Sequence, residues 1–138
     1  MKEYITAVVF LSLTVVFQNT LATDLSLMAG QGIINTKRGD VFQVSASLPK
    51  YESIRVHYTD WRRNAAYGLQ HDFTWGGWNA SPGFSGTAIR ESALRHGGAF
   101  TLELGYQVRI VRCQITHLSS WGRDKGLNFG LCGVRISL

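Results

Sequence analysis

Phe100-Thr101-Leu102-Glu103-Leu104 alternates apolar with polar side chains, and Val108 to Ile115 continues as a second strand-like run beyond Gly105-Tyr106-Gln107. An alternation of period two is the mark of a strand with one apolar and one polar face. The same period runs through Val41 to Leu48, Ile54 to Tyr58 and Val134 to Leu138. Turn-rich stretches separate these runs, among them Gly76-Gly77, Ser81-Pro82-Gly83 and Gly97-Gly98. Only Ala88 to Arg95 has helical promise, and it is short. The chain therefore reads as all-β, the apolar side of each strand turned to a core and the polar side to water.

Upstream of the strands, Lys2 precedes an apolar run from Ile5 to Phe17, broken only by Thr6, Ser12 and Thr14, with Thr20-Leu21-Ala22 as a small-residue exit. This is the layout of a secretory signal peptide. The run falls short of the roughly 20 apolar residues of a helical membrane span. Cleavage after Ala22 leaves residues 23–138 as one secreted domain. For Cys113 and Cys132 a disulfide, two buried thiols or a metal site are open, and export into an oxidising compartment favours the disulfide.

Fourteen Lys and Arg against nine Asp and Glu give a net charge of +5. The basic residues are scattered, and only Lys37-Arg38 and Arg62-Arg63 are adjacent. That distribution fits a general attraction to anionic surfaces and no specific nucleic-acid footprint.

The two halves of the chain resemble each other. His57 to Asn64 answers His117 to Asp124 at an offset of sixty, Tyr67 to Gln70 answers Phe129 to Cys132, and Lys37 to Val44 answers Arg95 to Leu102. Three blocks in one order suggest an internal duplication.

Phe100 to Val111 also resembles the hairpin signature of jacalin-related lectins, with Tyr106 where that family usually has Glu. Ile115 to Gly130 is similar to their strand, Gly-Arg and aromatic-Gly stretch, and Ala29-Gly30-Gln31-Gly32 lies where they carry a Gly-rich N-terminal loop. The resemblance implies a β-prism of Greek-key sheets, a small β-sandwich being the alternative. It implies a sugar site joining Gly30, Gln31 and Gly32 to the segment from Gly126 to Gly130. Gly130 replaces the family's Asp there, which leaves Asn128 or Asp124 as the hydrogen-bonding residue.

Trp75 and Trp78, separated by two glycines, form the densest aromatic cluster. A Trp face suits a sugar ring, a membrane interface or a loop folded back on its own core. Asn79-Ala80-Ser81 is a glycosylation sequon. His71-Asp72 invites a catalytic reading, but strand neighbours point to opposite faces. His57 and His117 hold equivalent repeat positions, which favours a structural role for both. No His spacing fits a metal site, and nothing brings Glu91 and Glu103 together as a glycosidase pair.

The expectation is a secreted, non-catalytic, lectin-like protein that binds glycans or glycoconjugates without cofactor or metal. Its ligand residues would be Gly30, Gln31, Gly32, Asp124, Gly126, Asn128, Trp75 and Trp78. The alternatives are a basic protein acting on anionic membranes, and a small hydrolase using His71 or His96.

Overall fold

The computed structural model describes residues 24–34, 36, 39–48, 50–62, 64–88, 97–119 and 126–138. The leader, His96, Glu91, Trp121 and Asp124 lie outside these residues, as does most of the segment with helical promise.

The described chain is all-β. Its strands are β1 (Asp24–Ile33), β2 (Asp40–Leu48), β3 (Tyr51–Trp61), β4 (Asn64–His71), β5 (Phe73–Trp75), β6 (Trp78–Ala88), β7 (Gly97–Val108), β8 (Val111–Ser119) and β9 (Leu127–Ser137). They form one antiparallel sheet ordered β4-β3-β2-β1-β9-β8-β7-β6-β5, and β4 also pairs with β6. That pairing closes the sheet on itself. The partners of β4 and β5 along β6 fall in one continuous register, so the two are a single strand interrupted at Asp72. The Asp72 N–H turns aside to Ser53 O at 2.6 Å. One eight-stranded barrel results, rather than the three separate sheets of a prism or the two of a sandwich.

Following register partners around the wall fixes its geometry. From Trp78 the line passes Tyr106, Cys113, Cys132, Ala29, Phe42, Asp60 and Ala65, and returns to β6 at Ala88, ten residues along. With about 3.3 Å per residue and about 4.8 Å between strands, that stagger tilts the strands by roughly 40° from the barrel axis. At one end, here the turn end, lie Asp24, Ser137 and the short connections after β2, β5 and β7. Gly76 and Gly77 make the tightest of these with φ of 54° and 91°, the left-handed pair that a two-residue hairpin needs. The connections after β1, β3, β6 and β8 leave from the opposite, loop end.

The strand alternation is real, but its sense is the reverse of the expectation. Buried positions are mostly polar: Gln43, Ser45, Arg55, His57, Thr59, Gln70, Ser81, Thr101, Glu103, Arg112, Gln114 and Thr116 all face the lumen. Exposed positions are mostly apolar, including Leu69, Phe84, Leu104, Val111 and Ile115. Among the described residues the apolar core fills the lumen from its loop end to mid-height, where Met28, Val41, Trp61, Ala66, Leu118, Leu127, Phe129 and Leu131 cluster, with Trp61 and Phe129 ring centroids 5.2 Å apart.

Cys113 and Cys132 are direct partners on β8 and β9, joined by a disulfide with Cα atoms 4.1 Å apart. Both face outward. The duplicated blocks map onto corresponding strands, yet two of them change face. Inward residues are odd-numbered on β3 and even-numbered on β8, so the offset of sixty sets buried His57 against outward His117.

Candidate functional site

The lumen is a self-neutralising charge network. The Arg55 guanidinium donates through Nε to Asp72 Oδ1 at 3.0 Å, through Nη1 to Ser45 Oγ at 3.1 Å and through Nη2 to Glu103 Oε2 at 2.9 Å. Gln43 donates to the other Glu103 oxygen and accepts from Gln114 Nε2 at 2.7 Å. Arg112 Nη2 stands 3.7 Å from Glu103, and Arg135 pairs with Asp24. Three guanidinium groups thus face three carboxylates. Burial of this many charges is tolerable only when each is paired.

The outer wall carries the opposite chemistry. Aromatic side chains gather on it in belts at two levels, on five of the eight staves at one and on adjacent strands β5, β6 and β7 at the other. Phe42, Tyr58, Tyr67, Phe84 and Phe100 form one toward the loop end, with Tyr58 opposite Tyr67 and Phe84 opposite Phe100. Phe73, Trp75, Trp78 and Tyr106 form the other at the turn end, with Trp78 partnered by both Trp75 and Tyr106. Trp75 and Trp78 are 55% and 54% exposed, so they do not fold back over a core. From the register and tilt the belts lie about 15 Å apart along the axis, and the whole apolar wall is about 20–25 Å tall. Between the belts every described outward strand residue is apolar, Gly or Cys, except His71.

Polar side chains return to the outer wall at the loop-end belt. There His117 and Ser119 stand two residues apart on one face of β8, and Asn128 faces His117 from β9. His117 Nδ1 and Asn128 Oδ1 are 2.8 Å apart. Asn128 Nδ2 donates to Ile34 O at 3.2 Å, which fixes the amide with its oxygen toward the imidazole. That oxygen can only accept, so His117 Nδ1 is the donor of the pair. Gly126 packs against the His117 ring. Its φ is 69°, and a Cβ there would meet His117 Cε1 at 2.7 Å and Leu118 O at 2.8 Å, so a side chain would displace the ring. Ser119 is the register partner of the belt residue Phe100.

The residues expected to bind sugar divide between the two ends. Gln31, Gly32 and Ile33 pair with Gly130, Phe129 and Asn128, so the Gly-rich segment does meet the Gly126–Gly130 segment, as strand β1 against strand β9 and not as loops. Gly30 belongs to the same pairing, opposite Leu131. Trp75 and Trp78 stand at the far end of the barrel. Asn79 of the sequon is 4% exposed inside the lumen beside Ser81. His71 faces out and Asp72 in, as strand neighbours must. Glu103 is bound into the lumen network. The grouping of His117, Ser119 and Asn128 was not read from the sequence. Its signal was the spacing of His117 and Ser119 within an alternating strand.

Comparison with family models, with curated proteins and with solved structures finds no match for this chain.

Proposed function

We propose that this protein is a β-barrel that spans a membrane and hydrolyses an ester bond of a lipid lying against its outer wall. Ser119 is the nucleophile, His117 the base, and Asn128 the group that holds the base. The observation that carries the reading is an oriented His117–Asn128 pair, with a serine on the same face, at the edge of the apolar wall and the level of an aromatic belt.

Apolar residues outward, polar residues in the lumen and aromatic belts at two levels are the design of barrels whose solvent is lipid. Strands of 9–11 residues suffice for such a barrel, and β1, β2, β3, β6, β8 and β9 fall in that range. Among the described residues no helix is long and apolar enough to cross a membrane. The belt marks the boundary between headgroups and hydrocarbon. Acyl esters of membrane lipids lie at that boundary, the depth of Ser119.

His117 Nε2 takes the Ser119 proton as Oγ attacks the ester carbonyl. The alkoxide of the lipid leaves with that proton, and an acyl-serine remains. Water, deprotonated by the same nitrogen, then releases the fatty acid and restores Ser119. Ser119 and His117 are one strand repeat apart, about 7 Å between Cα atoms, a gap their side chains close when substrate binds. An amide in place of a carboxylate behind the histidine orients the ring without adding charge.

Purified protein in vesicles, supplied with lipids of defined acyl chains, tests the reading by mass spectrometry of released fatty acid. Ser119→Ala and His117→Ala should each lower release by at least about a thousandfold while the barrel stays folded. Undiminished release by Ser119→Ala overturns the catalytic assignment. Extraction of the protein from vesicles by 1 M salt or alkaline carbonate overturns the spanning assignment.

A further inference from the structure

We propose that the junction of β4 and β5 with β6, where the sheet closes on itself, is a lateral gate, latched from inside the lumen by two side-chain hydrogen bonds and released by acid. It uses none of the residues around Ser119, and the inference does not depend on the hydrolase reading.

The ladders that join β6, β7, β8 and β9 to one another run without a break. On the other edge of β6 the register carries Gln70 with Gly83 and then Phe73 with Ala80. The two rungs between them, His71 with Pro82 and Asp72 with Ser81, are missing. Pro82 brings no N–H to the gap, and the Asp72 N–H is given to Ser53 O on β3. Beside the gap Gln70 is 2% exposed, and neither atom of its amide has a partner. Parting two strands costs least where buried polar groups are already unpaired.

Two side chains bridge the junction instead. Asp72 Oδ1 accepts from Ser81 Oγ at 2.7 Å, in place of the missing rung. His57 of β3 reaches over Gly68 of β4 to Ser85 of β6, with Nε2 and Oγ 2.9 Å apart. Gly68 makes that reach possible, because a Cβ there would overlap Phe84 O.

The His57 latch is sensitive to protons. The elements around it present Ser45 from β2, Gly68 from β4, Ser85 from β6 and Thr101 from β7, none of them charged. The charged groups it faces are Glu103 on β7 and Arg55 on its own strand. Glu103 is already held by Arg55 and Gln43, with Arg112 of β8 at 3.7 Å, and Asp72 is held by Arg55. His57 Nδ1 has no partner, so a second proton on the ring would find no acceptor and would add a cation beside Arg55. Burial accordingly holds the imidazole below its ordinary value, against the pull of Glu103 and with the push of Arg55. Opening the junction returns the ring to water and to that ordinary value, so the open form binds the proton more tightly. Acid therefore favours opening, with an onset near pH 6.5 that steepens below it.

Amide hydrogen exchange of the full chain in vesicles, corrected for the intrinsic effect of pH, tests the proposal. From about pH 7.5 to about pH 5, protection should fall about tenfold in β4 and in residues 83–88 of β6. The ceiling for one histidine returning to its ordinary value is about thirtyfold at the lower pH. Protection in β1, β8 and β9 should hold. His57→Gln keeps a hydrogen-bonding group toward Ser85 but takes no proton, and should remove the acid response. If His57→Gln fails to fold, the unaltered chain decides, because the His57 ring resonances should titrate with the midpoint of the exchange. No acid response, loss spread evenly over all strands, an unequal midpoint, or an undiminished response in His57→Gln would each overturn it.

Discussion

The two faces of each strand obey opposite rules. Glu103 and Leu104 are adjacent on β7, yet Glu103 is 1% exposed among guanidinium groups while Leu104 is 51% exposed among aliphatic and aromatic neighbours. In water this arrangement would be doubly unfavourable, exposing apolar surface and desolvating charge. In a bilayer both penalties vanish or reverse. Lipid becomes the partner of Leu104, and the lumen keeps Glu103 paired away from hydrocarbon. The contrast between faces is therefore a statement about solvent, and each face can be attacked separately.

The largest effect is expected inside. Arg55 holds Asp72, Ser45 and Glu103 at once. Arg55→Ala strands two buried carboxylates and should cost about 3–5 kcal/mol, read by urea unfolding in vesicles. Arg55→Lys keeps the charge but not the three-way fork, and should recover only part of that loss. A wild-type stability for Arg55→Ala would mean that the lumen admits enough water to solvate the carboxylates.

Outside, the instructive substitution is Leu104→Arg. A cation on a lipid-facing position costs about 2–4 kcal/mol near the midplane, whereas at an exposed site in water it costs within about 0.5 kcal/mol. The cost measured in vesicles would show which solvent the wall was built for. A negligible cost in vesicles would remove the basis for a spanning barrel.

The strand period, the hairpins and the Cys113–Cys132 bridge were legible in the sequence; the side facing out was not. Phe100-Thr101-Leu102-Glu103-Leu104 is the same string whether its apolar face meets a core or a lipid. What could have decided it was the polar set itself, because Arg55, Glu103 and Arg112 sit in mid-strand positions where a soluble sheet keeps its edges and rims. The candidate site was obscured for a related reason. The repeat pairs His57 with His117, which favoured one shared role, but the match ignores that β3 and β8 turn opposite parities inward. Asn128 could be assigned to His117 only once the β8–β9 register was known.

The disulfide sits on the outer face between the belts, linking residues 19 apart. Its loss should cost about 3 kcal/mol through the unfolded chain. If the wall meets lipid, a water-soluble phosphine should reduce it far more slowly in vesicles than in urea. Equal rates would mean that β8 and β9 face water.

The smallest effect has the most discriminating sign. His71 is the one polar outward residue described between the belts, its ring 4.6 Å from that of Phe73. Replacing it with Leu adds apolar surface where the spanning barrel has lipid, and should stabilise the protein in vesicles by about 1 kcal/mol. Were that face bathed in water, the same change would leave stability within about 0.5 kcal/mol and lower solubility instead. His71→Leu leaves the lumen network, the disulfide and the His117–Asn128 pair untouched. A gain in vesicles therefore reports the solvent of the wall alone, and a loss in vesicles would require a polar partner for His71 within the membrane.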